Sequence, residues 1–219
     1  MNYKIIDINN YYRKGVFEHF TRDAKCSTSI THRINVTQLK EWSKQTESRF
    51  YINFLYVLSK ALNSRDDYRM AWLYDTNQLI CYDKINPTQY VFHDDTETFT
   101  IAYTEYNENY QLFYNNALMD LEEAKMTREY RLDMKNHPNW FDASFIPWIS
   151  YDSLNVELPD GYLFFNPIVN WGKYEKENGV LKMPVSVRLN HAIADGYVVA
   201  RVFTLIEVEI KHLINNSIK

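Results

Sequence analysis

The run Val185-Ser186-Val187-Arg188-Leu189-Asn190-His191-Ala192-Ile193-Ala194-Asp195-Gly196 places a histidine just past an alternating segment, with a carboxylate and a glycine where a helical pattern begins. A neutral imidazole titrates near physiological pH, so His191 can take a proton from a hydroxyl and give it back within a reaction. Asp195 stands where it could orient that ring, as in a catalytic triad, or act structurally, and spacing leaves both open. A histidine with an aspartate four residues on is, by itself, more often structural. The six histidines, His19, His32, His93, His137, His191 and His212, never recur at the i, i+4 spacing by which two would share a metal from one helix face. Cys26 and Cys81 are too few for a disulfide framework and lack zinc-site pairing, so both are expected as free thiols and no metal is expected.

The elements that must position His191 follow from periodicity. Val180 to Asn190 alternates as a strand, and Gly196 to Leu213 is helical. Upstream, Lys14 to Arg22 carries Val16, Phe17 and Phe20 at helical spacing, and Thr28 to Val36 alternates as a half-buried strand. Thr37 is expected to cap a short helix with Leu39 and Trp42, and Phe50 to Leu62 reads as an amphipathic helix with Phe54, Leu55, Leu58 and Leu62 on one side. Leu79 to Tyr82, Tyr90 to Phe92 and Thr98 to Tyr103 are short strands; Tyr110 to Tyr130 is a helix; Ala143 to Ser150 and Leu163 to Trp171 are apolar β runs. Helices and strands mix without regular βαβ alternation, which predicts an α/β two-layer sandwich, a mixed open sheet with packed helices.

A chain of 219 residues, 46% hydrophobic and 16% aromatic, has material for one packed core, and no repeat or linker divides it. Residues 1–219 are therefore expected to form a single domain. The net charge of -4 and the lack of a basic cluster argue against nucleic acid or an anionic membrane surface as partner. The longest apolar runs, such as Phe54 to Leu58, fall far short of the roughly 20 residues that span a bilayer, and no signal-peptide pattern opens the chain, so a cytoplasmic protein is expected.

His-x-x-x-Asp-Gly is the active-site signature of the chloramphenicol acetyltransferase and dihydrolipoyl acyltransferase superfamily, and further segments resemble the first specifically. Tyr12-Arg13-Lys14 followed by Phe17-Glu18 is similar to its N-terminal element, and Phe50-Tyr51 opening a helix that ends Ala61-Leu62-Asn63 to its second. Thr96-Glu97-Thr98-Phe99, Ser144-Phe145-Ile146-Pro147-Trp148 with Asp152-Ser153, and Pro167-Ile168 through Lys173-Tyr174 extend the likeness over nearly the full length. The chain is identified as a member of that family, which implies a chloramphenicol-acetyltransferase-like fold.

The resemblance implies acetyl transfer from acetyl-coenzyme A, a co-substrate and not a resident cofactor, to the 3-hydroxyl of chloramphenicol in a ternary complex. His191 would be the general base, a role typically worth about 10² to 10⁴ in rate, and Ser144 the donor to the tetrahedral oxyanion. No Gly-x-Ser-x-Gly elbow surrounds Ser144, which favours that role over nucleophile. Asp195 is implied to form a buried pair with Arg13, while a bond to its own backbone carbonyl fixes the His191 tautomer. Active sites would lie between subunits of a homotrimer, with Phe20, Cys26, Phe99, Leu154 and Val156 at the acceptor and Tyr51, Trp148 and Tyr174 near coenzyme A.

The chain departs from the family pattern at Asn190, where a second histidine is usual, and at Asn170, where a threonine normally holds a water against the intermediate. Phe20 replaces a tyrosine and Leu154 a phenylalanine in the acceptor pocket. A different acceptor on the same fold, or a trimer that binds the antibiotic without modifying it, are the competing readings. A dihydrolipoyl acyltransferase core is disfavoured by the lack of a lipoyl domain and an Ala/Pro-rich linker.

Overall fold

Tertiary pairing sorts the strands into two sheets. The computed structural model describes residues 2–130, 136–158 and 162–216. The elements are β1 (Tyr3–Ile5), α1 (Lys14–Arg22), β2 (Ser27–Asn35), α2 (Thr37–Gln45), α3 (Phe50–Asn63), β3 (Met70–Leu73), β4 (Gln78–Tyr82), β5 (Asn86–His93), β6 (Thr98–Tyr103), α4 (Tyr110–Lys125), β7 (Trp140–Ile146), β8 (Ile168–Gly172), β9 (Glu175–Glu177), β10 (Val180–Asn190) and α5 (Gly196–Asn216). A small sheet runs β1-β4-β3; the large one runs β2-β10-β8-β7-β5-β6, with β9 also pairing β10. β5, β7 and β8 are mutually parallel and the remaining pairs antiparallel, so the sheet is mixed.

β10 organises the large sheet, bonded to β2 on one side and β8 on the other. Val185, Val187 and Leu189 are fully buried in the core, as are Val169 and Trp171 on β8 and Ala143 on β7. Ser186, Asn170 and Ser144 occupy the alternate positions and share the opposite face, because side chains alternate along a strand. That face is crossed by the chain after β7: Tyr151 donates its hydroxyl to the Asn170 carbonyl at 2.9 Å, Arg33 meets Asp152 at 2.8 Å, and the Leu154 N–H reaches Thr31 Oγ1 at 3.4 Å. The crossing demands Gly172: a Cβ there would lie 2.9 Å from the Ile149 carbonyl oxygen and the Tyr151 ring. Asn178 and Gly179, at φ 49° and 86°, make the β9–β10 hairpin, a turn that Asn-Gly favours.

Several expectations are corrected. α3 is buried nearly all round, from Ile52 to Ser59 and at Ala61 and Leu62, because it lies among α2, α4, α5 and the sheet. Each fully buried Leu or Phe contributes about 1.5–3 kcal/mol. Its one buried amide, Asn53, is satisfied by Ser43, Ser48 and Tyr110 at 2.7–2.8 Å, tying three helices together. Thr37 is the first residue of α2, not its cap; its hydroxyl accepts the Leu181 N–H at 2.8 Å, joining helix to β10. α4 ends at Lys125, not Tyr130: the Thr127 hydroxyl takes the Glu129 N–H, an alternative to continuing the helix. β7 spans 140–146, where 143–150 was expected, since Pro147 offers no N–H to the ladder. β8 begins only after Pro167, and β5 extends beyond Tyr90 to Phe92 at both ends.

Candidate active site

β10 ends at Asn190, whose side chain builds the turn that presents His191. Asn190 Oδ1 accepts the Ala192 N–H at 2.9 Å and its carbonyl takes those of Ile193 and Ala194, while Ala192, Ile193 and Ala194 are fully buried. At this position a histidine is not required, because a short amide makes the same local turn. The His191 N–H donates to the Cys26 carbonyl at 3.0 Å, anchoring the loop to the start of β2. The imidazole stacks on Phe20 of α1, centroids 3.9 Å apart and planes 16° off parallel. Its Nδ1 is buried with no hydrogen-bond partner among the described residues, so the bond to its own carbonyl is not made and the stack sets the ring plane.

Asp195 serves the helix and Arg13. Its carboxylate accepts the Val198 N–H at 3.0 Å and pairs with Arg13 Nη2 at 3.0 Å. The α5 N–H, with help from Arg13, holds its pKa below the usual carboxylate range. The pair is half-buried rather than buried: the Arg13 side chain is 11% exposed but that of Asp195 44%. Helix-terminal capping, typically about 1 kcal/mol, and a screened ion pair of about 1 kcal/mol or less are thus its contributions.

Ser144 sits elsewhere. Cross-strand register aligns Ser144 with Asn170, Asn170 with Ser186 and Ser186 with Thr31. Asn170 is 7% exposed, and the Ser186 and Thr31 hydroxyls meet at 2.6 Å. His191 lies five residues beyond Ser186, and β8 separates β10 from β7. At about 3.3 Å per residue and about 4.8 Å per strand, His191 and Ser144 are about 16 Å apart along the sheet and about 10 Å across it, beyond side-chain reach. Within one chain His191 and Ser144 do not meet.

The other candidates divide the same way. Phe20 and Cys26 contact His191, and Cys26 and Val156 line a cleft of about 320 Å³ with Asn190, Arg188 and Lys25. Leu154 lies on the crossing segment beside Thr31. Phe99, on β6, packs edge-on against Tyr90 at 5.2 Å, on the Ser144 side. Tyr51 packs on Phe145 and Trp171, and burial raises its hydroxyl pKa. Tyr174 packs on Phe50, and Lys40 Nζ lies 5.6 Å from the Tyr174 centroid, adding a cation at that corner. Trp148 is 59% exposed and edge-on to Phe92 at 4.9 Å, and its neighbour Ile149 accepts the N–H of Lys173, next to Tyr174, at 2.8 Å.

Three residues of this region carry no sequence motif: Asp142, Tyr90 and Arg188. Asp142 shares the Ser144 face two positions earlier, which alternation alone could have flagged. Tyr90 bonds it from β5, and Arg188 has a buried Nη1 with no partner among the described residues. Among the described residues no group of three or more His, Cys, Asp or Glu could hold a metal, and no helix is long and apolar enough to cross a membrane.

Comparison with known proteins decides the family. A family model described as chloramphenicol acetyltransferase matches residues 1–207. The chain belongs to the chloramphenicol acetyltransferase family. It is 32% identical over 225 residues to chloramphenicol acetyltransferase 3 of Escherichia coli, covering all of both chains. To a chloramphenicol acetyltransferase of Staphylococcus aureus it is 34% identical over 197 residues, 90% of this chain and 91% of the relative. A solved chloramphenicol acetyltransferase superposes with a TM-score of 0.85 at 20% identity, over 95% of this chain and all of that one. The fold extends to dihydrolipoamide acetyltransferase of Azotobacter vinelandii, TM-score 0.65 at 13% identity, over 89% and 85%.

Proposed function

We propose that the protein is a cytoplasmic chloramphenicol O-acetyltransferase that transfers acetyl from acetyl-coenzyme A to the 3-hydroxyl of chloramphenicol in a ternary complex. The full-length family match carries the reading. His191, oriented by Phe20, accepts the hydroxyl proton as the oxygen attacks the thioester carbonyl. The oxyanion takes a hydrogen bond from Ser144, and collapse breaks the C–S bond, the thiolate receiving the proton back from His191. Asn170, level with Ser144, holds a water against the intermediate, since an amide both donates and accepts.

The separation of His191 from Ser144 supports a site shared between copies, with the β10 end of one subunit facing the β7 surface of the next in a homotrimer. Phe20, Cys26 and Val156 then approach the acceptor from one side and Phe99 from the other, while Tyr51, Trp148 and Tyr174 border the coenzyme A path. Residues 1–219 act as one catalytic domain. Free-thiol release from acetyl-coenzyme A in the presence of chloramphenicol tests the reading. Turnover by the wild type and its loss in His191→Ala is expected; equal rates in both would refute it, and chloramphenicol binding without turnover would favour a sequestering protein.

A further inference from the structure

Ser144 shares its face of β7 with an ionisable group. Two residues earlier on the same strand, Asp142 lies about 6.6 Å away along that face. Tyr90 on β5 donates its hydroxyl to Asp142 Oδ2 at 2.8 Å, and Phe99 on β6 packs edge-on against the Tyr90 ring. Tyr90 is the one side chain among the described residues that bonds this carboxyl, leaving Oδ1 for another donor. On β8 the position facing it is Ile168, and Arg188 on β10 follows in the same cross-strand row without reaching it. Tyr130 lies beyond Tyr90, in edge contact with Phe99.

Asp142 is half-buried beside Ser144, and with Tyr90 on Oδ2 its other oxygen keeps lone pairs for a donor that a ligand brings, a charge-assisted hydrogen bond. We propose that Asp142, held by Tyr90, is a specificity-determining residue of the acceptor site, its Oδ1 receiving a second hydroxyl or N–H that the acceptor carries a few ångströms from the hydroxyl being acetylated. The inference rests on the reading that puts the acetyl carbonyl at Ser144. It selects acceptors that are polyols or hydroxy-amides over simple alcohols. Burial raises the Asp142 pKa to about 6, with Tyr90 opposing, so the carboxylate form that only accepts prevails above that pH.

The test compares chloramphenicol with an analogue methylated at its amide nitrogen and its second hydroxyl, in the wild type, Asp142→Ala and Asp142→Asn. The readout is the ratio of kcat/KM for the two acceptors, with oligomeric state and circular dichroism checked for each variant. A hydrogen bond to a charged group predicts a wild-type ratio larger than that of Asp142→Ala by roughly ten to a hundredfold. Asp142→Asn, which keeps an acceptor oxygen and the Tyr90 bond, is expected to retain part of the ratio. An unchanged ratio in Asp142→Ala would overturn the inference while leaving the acetyltransferase reading intact. Absence of thiol release by the wild type would overturn that reading, and this inference with it.

Discussion

Replacing Asp142 by asparagine should stabilise the protein, and by an amount that depends on pH. The carboxyl is half-buried on the β7 face with one hydrogen bond from Tyr90, and desolvation raises its pKa from 3.8 to about 6. A raised carboxyl pKa means that the folded state binds the proton more tightly than the unfolded chain, so stability falls as pH rises between the two values. The penalty is fully present above pH 6 and disappears below the unfolded value. Two units at about 1.36 kcal/mol each give about 3 kcal/mol, roughly half of it already relieved at pH 5. Asparagine never ionises, yet its amide oxygen can still accept the Tyr90 hydroxyl. Urea denaturation of wild type and Asp142→Asn at pH 4, 5, 6.5 and 8 isolates this residue, because other titrations cancel in the difference. The gain in the variant should climb from near zero at pH 4 to about 3 kcal/mol at pH 8. A gain independent of pH, or a loss that grows with pH, would show that the carboxylate has a compensating partner and refute the reasoning.

Further outcomes follow from the site and the sheet. His191→Ala should reduce kcat by about 10² to 10⁴ while acetyl-coenzyme A affinity, measured by calorimetry, stays nearly constant. Ser144→Ala should lower kcat by about 10² with little change in KM, since the oxyanion exists only in the transition state; a change confined to KM would assign Ser144 to binding instead. Gly172→Ala sets a Cβ 2.9 Å from the Ile149 carbonyl oxygen, so thermal unfolding should show a loss of about 1–3 kcal/mol, together with reduced turnover because Asn170 adjoins the strained crossing.

The local signals were readable where a segment decides its own conformation. α1 and β10 have their expected bounds, and β2 and α3 fall within one residue of theirs, because apolar periodicity and burial agree there. β1 and β3 escaped notice: each is short and paired to β4 through contacts distant in sequence, with β1 wholly exposed. The ends of α4, β7 and β8 shifted because hydroxyl competition and proline, not periodicity, set them.

The sequence alone determined which residue types could do chemistry. His191 with Asp195 and Gly196 signalled the site, and the distributed segments signalled the family, since motif identity is local information. Tertiary structure decided how those residues relate. It gave Asp195 to α5 and Arg13, left His191 Nδ1 unbonded against Phe20, and set Ser144 two strands from β10. It also put Asp142 and Tyr90 beside Ser144, a pairing between strands 52 residues apart that no spacing rule contains. The physical reason is that strand register, fixed by burying one face of the sheet, determines what stands together on the other.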